Sequence, residues 1–541
     1  MSDKSPISNS YPATVEGPFG LKHLLYADFT ASGRPLPRIE SFIRERVLPW
    51  YANTHSDAFA AQKMSRLREQ ARTAIARSTH ADQTQHSVIF TGSGTTSAIA
   101  KFAQLIDLTN TVTQEELPPV VFIGPYEHHS NELVWRESRA KVVPIGENAD
   151  GGIDQKMLER ELVRHRDHPL LLGSFSAASN VTGMLSDVPG ITGLLHRYGA
   201  LAAWDYAAAG PHLAIDVQGS ETSGHLDAVF LSPHKFLGGP DTPGVLIVNR
   251  EAVTRQIPTT PGGGTVTFVS PRHHHYESRL EVKEEAGTPA IIGAIRAGLA
   301  FMVKDELIAE GMECREQQLV QDVMRRLQEI PGVRILGNPT SERLPIISFV
   351  IANDSGHFLH HNLVVGMLSD LFGIQARGGC SCAGPYGHRL LDVDDQRSAA
   401  FEKVVLQGLE GIKPGWTRLS LSAAEHSAEE IDYIIASIEL LARYGDRLIT
   451  EYRFNPRSGS WTHRNAVKPS QSELRELFYE PAERSSAETP AVELPGLAEQ
   501  LAAAELLLSS LPLATPAQAV IDPAFDELRW FPLPEPCLTT E

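Results

Sequence analysis

The sequence predicts an α/β protein: a mostly parallel sheet covered by helices on both faces, followed by a smaller α/β unit. Three observations predict it. Short, fully apolar runs alternate with amphipathic segments between about residues 88 and 250, the pattern of strands buried on both faces. After a long helical region, about 291–330, the same alternation resumes on a smaller scale. The chain also has 541 residues, too many for one hydrophobic core.

The strands expected in the first unit are 87–91, 120–124, 170–175, 201–205, 228–231 and 245–248. Between them, Ile99, Phe102, Ala103 and Ile106 recur at i, i+3, i+4 and i+7, and a second helical pattern spans 188–198. The smaller unit reads as strand 345–351, helix 357–372, a loop over 377–385, strand 416–422 and a helix from about Ala428. That last helix opens with Ser427-x-x-Glu430, the spacing of a capping box. These patterns divide the chain into a loose tail (1–20), a large domain (21–300), a small domain (301–450) and an extension (451–541). The extension is richer in Ser, Pro, Glu and Ala, with one amphipathic stretch at 497–508.

Composition excludes some functions. A net charge of −18 opposes binding to a nucleic-acid backbone. No apolar run reaches the ~20 residues of a membrane-spanning helix. Residues 1–20 are polar and lack the apolar core of a signal segment. Four cysteines are too few for a disulfide framework, so a reducing, cytoplasmic setting is expected.

The chemistry gathers at strand ends, where open α/β sheets bind ligands. The run 227–231 delivers Ser232, His234 and Lys235 into a turn followed by Gly238-Gly-Pro240. A primary amine flanked by a hydroxyl and an imidazole suits a phosphorylated aldehyde: the amine can form an imine and its neighbours can hold the phosphate. A surface lysine after a strand is the plainer reading of this stretch alone. Thr91-Gly-Ser-Gly94-Thr95-Thr96 sits between a strand and a helix, where backbone N–H groups and hydroxyls form a phosphate cup. Asp205 ends a strand 30 residues before Lys235, and a buried carboxylate can keep a pyridine nitrogen protonated. His273-His-His275 supplies at most two ligands on one side of an extended chain. A solvated loop, with no metal, is expected there. Trp416, Arg418 and Ser420 fall on one face of an alternating run.

Ser232-x-His234-Lys235 with the following Gly-Gly-Pro resembles the cofactor-lysine segment of the class V aminotransferase superfamily. Further motifs in the expected order support this: Tyr26-Ala-Asp-Phe-Thr-Ala31, Asn53-Thr-His-Ser56, Thr91–Thr96, Tyr126-Glu-His-His-Ser-Asn131, Ser179-Asn-Val-Thr-Gly183 and Gly287-Thr-Pro289. The resemblance covers roughly residues 20–445. It implies a fold-type I enzyme that binds pyridoxal 5′-phosphate. Gly94, Thr95, Thr96, Ser232 and His234 would hold the phosphate and Lys235 the aldehyde carbon. His128 would stack on the ring, Asn180 would meet the phenolic oxygen, and Asp205 the ring nitrogen. It further implies a homodimer in which Thr288 reaches the neighbouring subunit's phosphate, with Asn53 and Arg418 binding substrate.

Ala376-Arg377-Gly-Gly-Cys380-Ser-Cys382-Ala-Gly-Pro385 resembles the loop of the cysteine desulfurase and selenocysteine lyase branch. That register places Arg377 near the substrate carboxylate and Cys382 as the nucleophile that takes sulfur from L-cysteine. Lys235, Cys382 and His128 would then be the catalytic residues, and an acceptor protein for the sulfur is implied. Two departures stand out. Ala208 replaces a Gln of the usual pattern, and the second thiol, Cys380, is similar to features of molybdenum-cofactor sulfurases. A class V aminotransferase, epimerase or C–S lyase without a protein thiol is the enzyme alternative, and a non-catalytic scaffold is the alternative of another kind.

Overall fold

The computed structural model describes residues 13–109, 117–352, 356–466, 472–479, 494–513 and 518–538. Seven strands form the large sheet: β1 (His86–Phe90), β2 (Val120–Ile123), β3 (Lys141–Pro144), β4 (Leu171–Ser176), β5 (Leu201–Asp205), β6 (Ala228–Leu231) and β7 (Val245–Asn249). Their order is β1-β7-β6-β5-β4-β2-β3. The pairs from β3 through β6 are all parallel, and β7 runs antiparallel to both its neighbours. The α/β class with a mostly parallel sheet is therefore as expected. β3 was not predicted: it begins on a lysine, lies at the sheet edge, and has only Val142 and Val143 as apolar members.

Helices cover both faces. α1 (Phe59–Ser78) packs on a later helix; α2 (Gly94–Leu105) and α3 (Val188–Arg197) lie on opposite sides of the sheet. The periodic residues of α2 explain its place. Ile99, Phe102 and Ala103 are fully buried, with Phe102 5.6 Å from Phe230 of β6 between ring centres. Burying each such large side chain contributes ~1.5–3 kcal/mol. On the other face, Leu195 of α3 and Trp204 of β5 share a core, and the indole N–H of Trp204 donates to Thr192.

The long helical region is two helices, α4 (Ile291–Ala309) and α5 (Met312–Gln328). Gly311 separates them at φ 81°, a left-handed conformation that glycine adopts at little cost. A four-stranded sheet follows: β8 (Val333–Ile335), β9 (Ile346–Ile351), β10 (Arg377–Gly379) and β11 (Trp416–Ser420), in the order β8-β9-β11-β10. The start of the expected 377–385 loop is thus an edge strand. β11 is an interior strand with every residue buried, so Arg418 does not face solvent. α6 (His361–Phe372) and α7 (Ala428–Leu448) cover this sheet, and the Ser427–Glu430 capping box forms.

The expectation for the N-terminus changes. Residues 1–12 lie outside the described residues, but Thr14–Gly17 pairs with Gly20–His23 in a hairpin, so the end of the expected tail is ordered structure. Part of the described extension packs as core, whereas Leu474, Phe478 and Tyr479 are exposed. Helix Leu497–Ser510 lies on α7, and Phe525, Phe531 and Cys537 are buried in the small-sheet core. His274–Tyr276, read as loop, is instead a strand of an exposed hairpin with Val266–Val269. No helix among the described residues is long and apolar enough to cross a membrane.

Candidate active site

The carboxyl ends of β4, β5 and β6 open into a cavity of ≈ 490 Å³. The sequence distributes its chemistry over separate strand ends, and the parallel sheet brings those ends to one edge. β6 ends at Leu231. Pro233 starts a single 3-10 turn that carries His234 and Lys235 to the cavity. Across from it, the start of α2 brings Gly94, Thr95 and Thr96. The backbone N–H of Thr95 donates to Ser232 Oγ (2.9 Å). A Cβ on Gly94 would stand 2.7 Å from the same oxygen and 3.7 Å from His234 Nε2, and its φ is +54°. Only glycine leaves this cradle open.

The charged groups perturb one another. Burial pulls Lys235 down to about 8, with Asp205 opposing and Arg418 and Arg377 assisting. Burial pushes Asp205 up to about 6, while its bond from Ala207 N (2.8 Å) and the charge of Lys235 pull it back. His128 is held down to about 4 by burial and by Lys235, so its ring is neutral. Its Nδ1 accepts from Ser130 N (3.1 Å), which leaves the proton on Nε2.

Glu127, just before it, is buried and pushed up to about 7. Its carboxylate accepts from Gly124 N (3.2 Å), Ser176 N (3.0 Å), Ser176 Oγ (2.6 Å) and Asn131 Nδ2 (2.6 Å). These bonds pin the loop that presents His128.

The thiol loop enters from the small sheet. Ser381 and Cys382 both have left-handed backbones (φ 51° and 57°), a conformation costing roughly 1–3 kcal/mol for each non-glycine residue. Three bonds offset it. Asn180 Nδ2 donates to Ser381 O (2.7 Å), His129 N to Cys382 O (2.8 Å), and Ala383 N to Cys380 O (3.1 Å). Cys382 is exposed and lines the cavity; Cys380 is half-buried, and Cys314 and Cys537 lie elsewhere.

The cavity thus gathers Gly94, Thr95, Thr96, His128, Asn180, Asp205, Ser232, His234, Lys235, Arg377, Cys382 and Arg418. Asn53 and Thr288 are not there. They are exposed and meet each other instead, Asn53 Nδ2 3.4 Å from Thr288 Oγ1. Both belong to segments that pass outside the cavity of their own chain. Sequence reasoning assigned nothing to Asp28, Ser130 or Ser381, although Asp28 sits in the quoted Tyr26–Ala31 segment. Ala208 lines the cavity where a larger Gln was expected.

These residues fit pyridoxal phosphate. The cavity has hydroxyls, an imidazole and a helix N-terminus at one side, a buried carboxylate, and an amine. Thr30 Oγ1, Asn180 Oδ1, Thr242 Oγ1, Ser381 Oγ and Arg418 Nε are buried without a protein partner, and all five residues line it. Buried polar atoms left this way await a polar ligand or water.

A doubly covered parallel sheet with an amine-bearing turn at its carboxyl edge defines a class of enzyme. The class-V aminotransferase model matches residues 25–434, and the chain belongs to that family, whose enzymes depend on pyridoxal phosphate. Within it the chain is similar to cysteine desulfurases. A probable cysteine desulfurase of Halalkalibacterium halodurans is 31% identical over 337 residues, 62% of this chain and 77% of the relative. One of Streptomyces coelicolor is 28% identical over 391 residues, 71% and 89% of the two chains. The apo structure of a cysteine desulfurase from Thermococcus onnurineus shares the fold, with a TM-score of 0.63 at 24% identity over 78% of this chain and 95% of the other.

Proposed function

We propose that this enzyme removes sulfur from L-cysteine, leaving alanine and a persulfide on Cys382. The observation that carries the reading is that Cys382, alone among the four cysteines, lines the cavity that holds Lys235.

Ser232, His234, Gly94, Thr95 and Thr96 would hold the phosphate of pyridoxal phosphate, Asp205 its ring nitrogen, His128 its face and Asn180 its phenolic oxygen. Asn180 already spends one N–H on Ser381 O, so the second N–H of its amide is the donor left. When bound, the cofactor supplies a carbonyl for amines and a sink for electrons released at the substrate Cα. Lys235, held near 8, is partly neutral around neutral pH, and its Nζ can take and return the Cα proton. Arg418 and Arg377 orient the substrate α-carboxylate.

Cys382 Sγ then attacks the substrate sulfur. The S–S bond forms as the Cβ–S bond breaks, the carbon takes up a proton, and alanine leaves. Lys235 and Arg418 both lie close enough to feel the charge of Cys382, so a thiolate there has cationic neighbours. The sulfur would pass on to an acceptor protein or small thiol, in a reducing compartment that keeps these thiols free.

A homodimer is part of the reading. Asn53 and Thr288 would complete the site of a second subunit, since they lie beside exposed apolar side chains, Trp50, Tyr51 and Phe59, that a second copy would cover. The test of the whole is Cys382→Ala. Alanine and sulfide release from L-cysteine should collapse. Undiminished turnover would favour a C–S lyase that needs no protein thiol.

A further inference from the structure

Arg377 of β10 and Arg418 of β11 are direct partners across an antiparallel pair. Like charges placed so destabilise a sheet. One buried carboxylate resolves the conflict. Asp28, only 4% exposed, accepts from Arg418 Nη2 on Oδ1 (3.3 Å) and from Arg377 Nε on Oδ2 (3.2 Å), and Arg377 Nη2 forms an ion pair with the same Oδ2 at 3.2 Å. Its backbone is fixed as well: Asp28 bridges Ser420 of β11, and Thr30 N donates to Ser420 Oγ (2.9 Å). Both arginines line the cavity, and Asp28 stands behind them, outside its lining. A ligand therefore meets the guanidiniums and not the carboxylate. Arg418 gives one further donor to Asn180 O (3.0 Å) and keeps its Nε without a protein partner.

The charge count has a consequence. Two guanidiniums and one carboxylate leave a net charge of one, which a single α-carboxylate neutralises. Arg418 and Asp28 are buried, while Arg377 is half exposed, and buried charges are tolerated when they are paired. A ligand with a second anionic group would bring an unpaired charge into this end of the cavity. We infer that Asp28 is a positioning residue that sets the anion count of the subsite: it holds Arg377 and Arg418 to one carboxylate and so selects amino acids with a neutral side chain over those with an acidic one. This rests on the proposed binding of an amino-acid carboxylate by these arginines and goes beyond it in naming what limits the substrate class.

The test is calorimetric titration of the holoenzyme with L-alanine and with L-aspartate, which does not depend on sulfur chemistry. The wild type should prefer L-alanine. Asp28→Asn should shift the affinity ratio toward L-aspartate by roughly tenfold, the size of one charge-assisted bond. Adding Arg377→Gln to it restores a net charge of one and should restore the preference, which a merely structural role would not do. An unchanged ratio in Asp28→Asn, or a shift that survives in the double variant, overturns the inference. Should Asp28→Asn fail to fold, Arg377→Gln alone decides: L-aspartate should weaken more than L-alanine, and equal weakening overturns it. Sulfide release from L-cysteine by the wild type, measured alongside, tests the desulfurase reading separately.

Discussion

The side-chain amide of Asn180 donates to the carbonyl of Ser381 at 2.7 Å, joining a loop of the large sheet to the thiol loop of the small one across 201 positions of sequence. The bond holds a turn whose two middle residues, Ser381 and Cys382, are both left-handed. Its removal should release the loop before it unfolds the protein. Asn180→Ala is expected to cost about 1–3 kcal/mol of stability and to slow sulfide release from L-cysteine by more than roughly tenfold. Denaturant midpoints beside turnover rates check both halves, and a variant destabilised with unaltered turnover would contradict the role given to this bond.

The phosphate cradle predicts a steric penalty. In Gly94→Ala the new methyl would meet Ser232 Oγ at 2.7 Å on a backbone with φ +54°. Strain alone should cost about 1 kcal/mol or more. Pyridoxal phosphate affinity, followed by absorbance titration of the apo-protein, should fall by more than roughly tenfold.

Asp205 carries a pH signature. Its carboxyl is raised to about 6 by burial, above its unfolded value near 3.9. Between those values the folded state binds more protons than the unfolded state, so ionisation of Asp205 opposes folding. The opposition is complete above pH about 6 and vanishes below about 4. Asp205→Asn in the apo-protein should therefore stabilise by roughly 2–3 kcal/mol at neutral pH and not at all in acid, while weakening cofactor binding. Denaturant unfolding of the apo-protein at the two pH values measures it.

Lys235, lowered to about 8, predicts a rate. Only the neutral amine reacts with an aldehyde, so reconstitution of apo-protein with pyridoxal phosphate should accelerate as pH rises through about 8 and then level off. Stopped-flow absorbance resolves this. A midpoint at the ordinary lysine value would contradict the burial argument.

The extension should matter for stability rather than chemistry. Phe531 is buried against His360, and Trp530 stacks on the same ring at 5.3 Å while donating to Ile412 O (3.0 Å). Phe531→Ala is expected to cost about 3–5 kcal/mol and to leave turnover per folded molecule unchanged.

Much of this was legible in the sequence because burial on both faces writes itself as apolar runs, as in β2, β5 and β6, and because turn chemistry is local, as at Ser232–Lys235. Two things were not legible. The edge strand Lys141–Pro144 buries too little to leave a pattern. Asp28 acquires its meaning only from Arg377 and Arg418, about 350 or more positions away, and a lone Asp beside a short strand carries no such signal. The register of β10 against β11 had to be seen first. The packing of the extension was hidden for the same reason: its aromatic residues are scattered among prolines, and their partners lie around His360.

The central claim is tested most directly by locating sulfur on the protein. After a single turnover of the holoenzyme with sulfur-labelled L-cysteine, alkylation and peptide mass mapping should find one reductant-labile sulfur on Cys382. Label on Cys380 instead, or sulfide released with no labelled cysteine at all, would contradict the account.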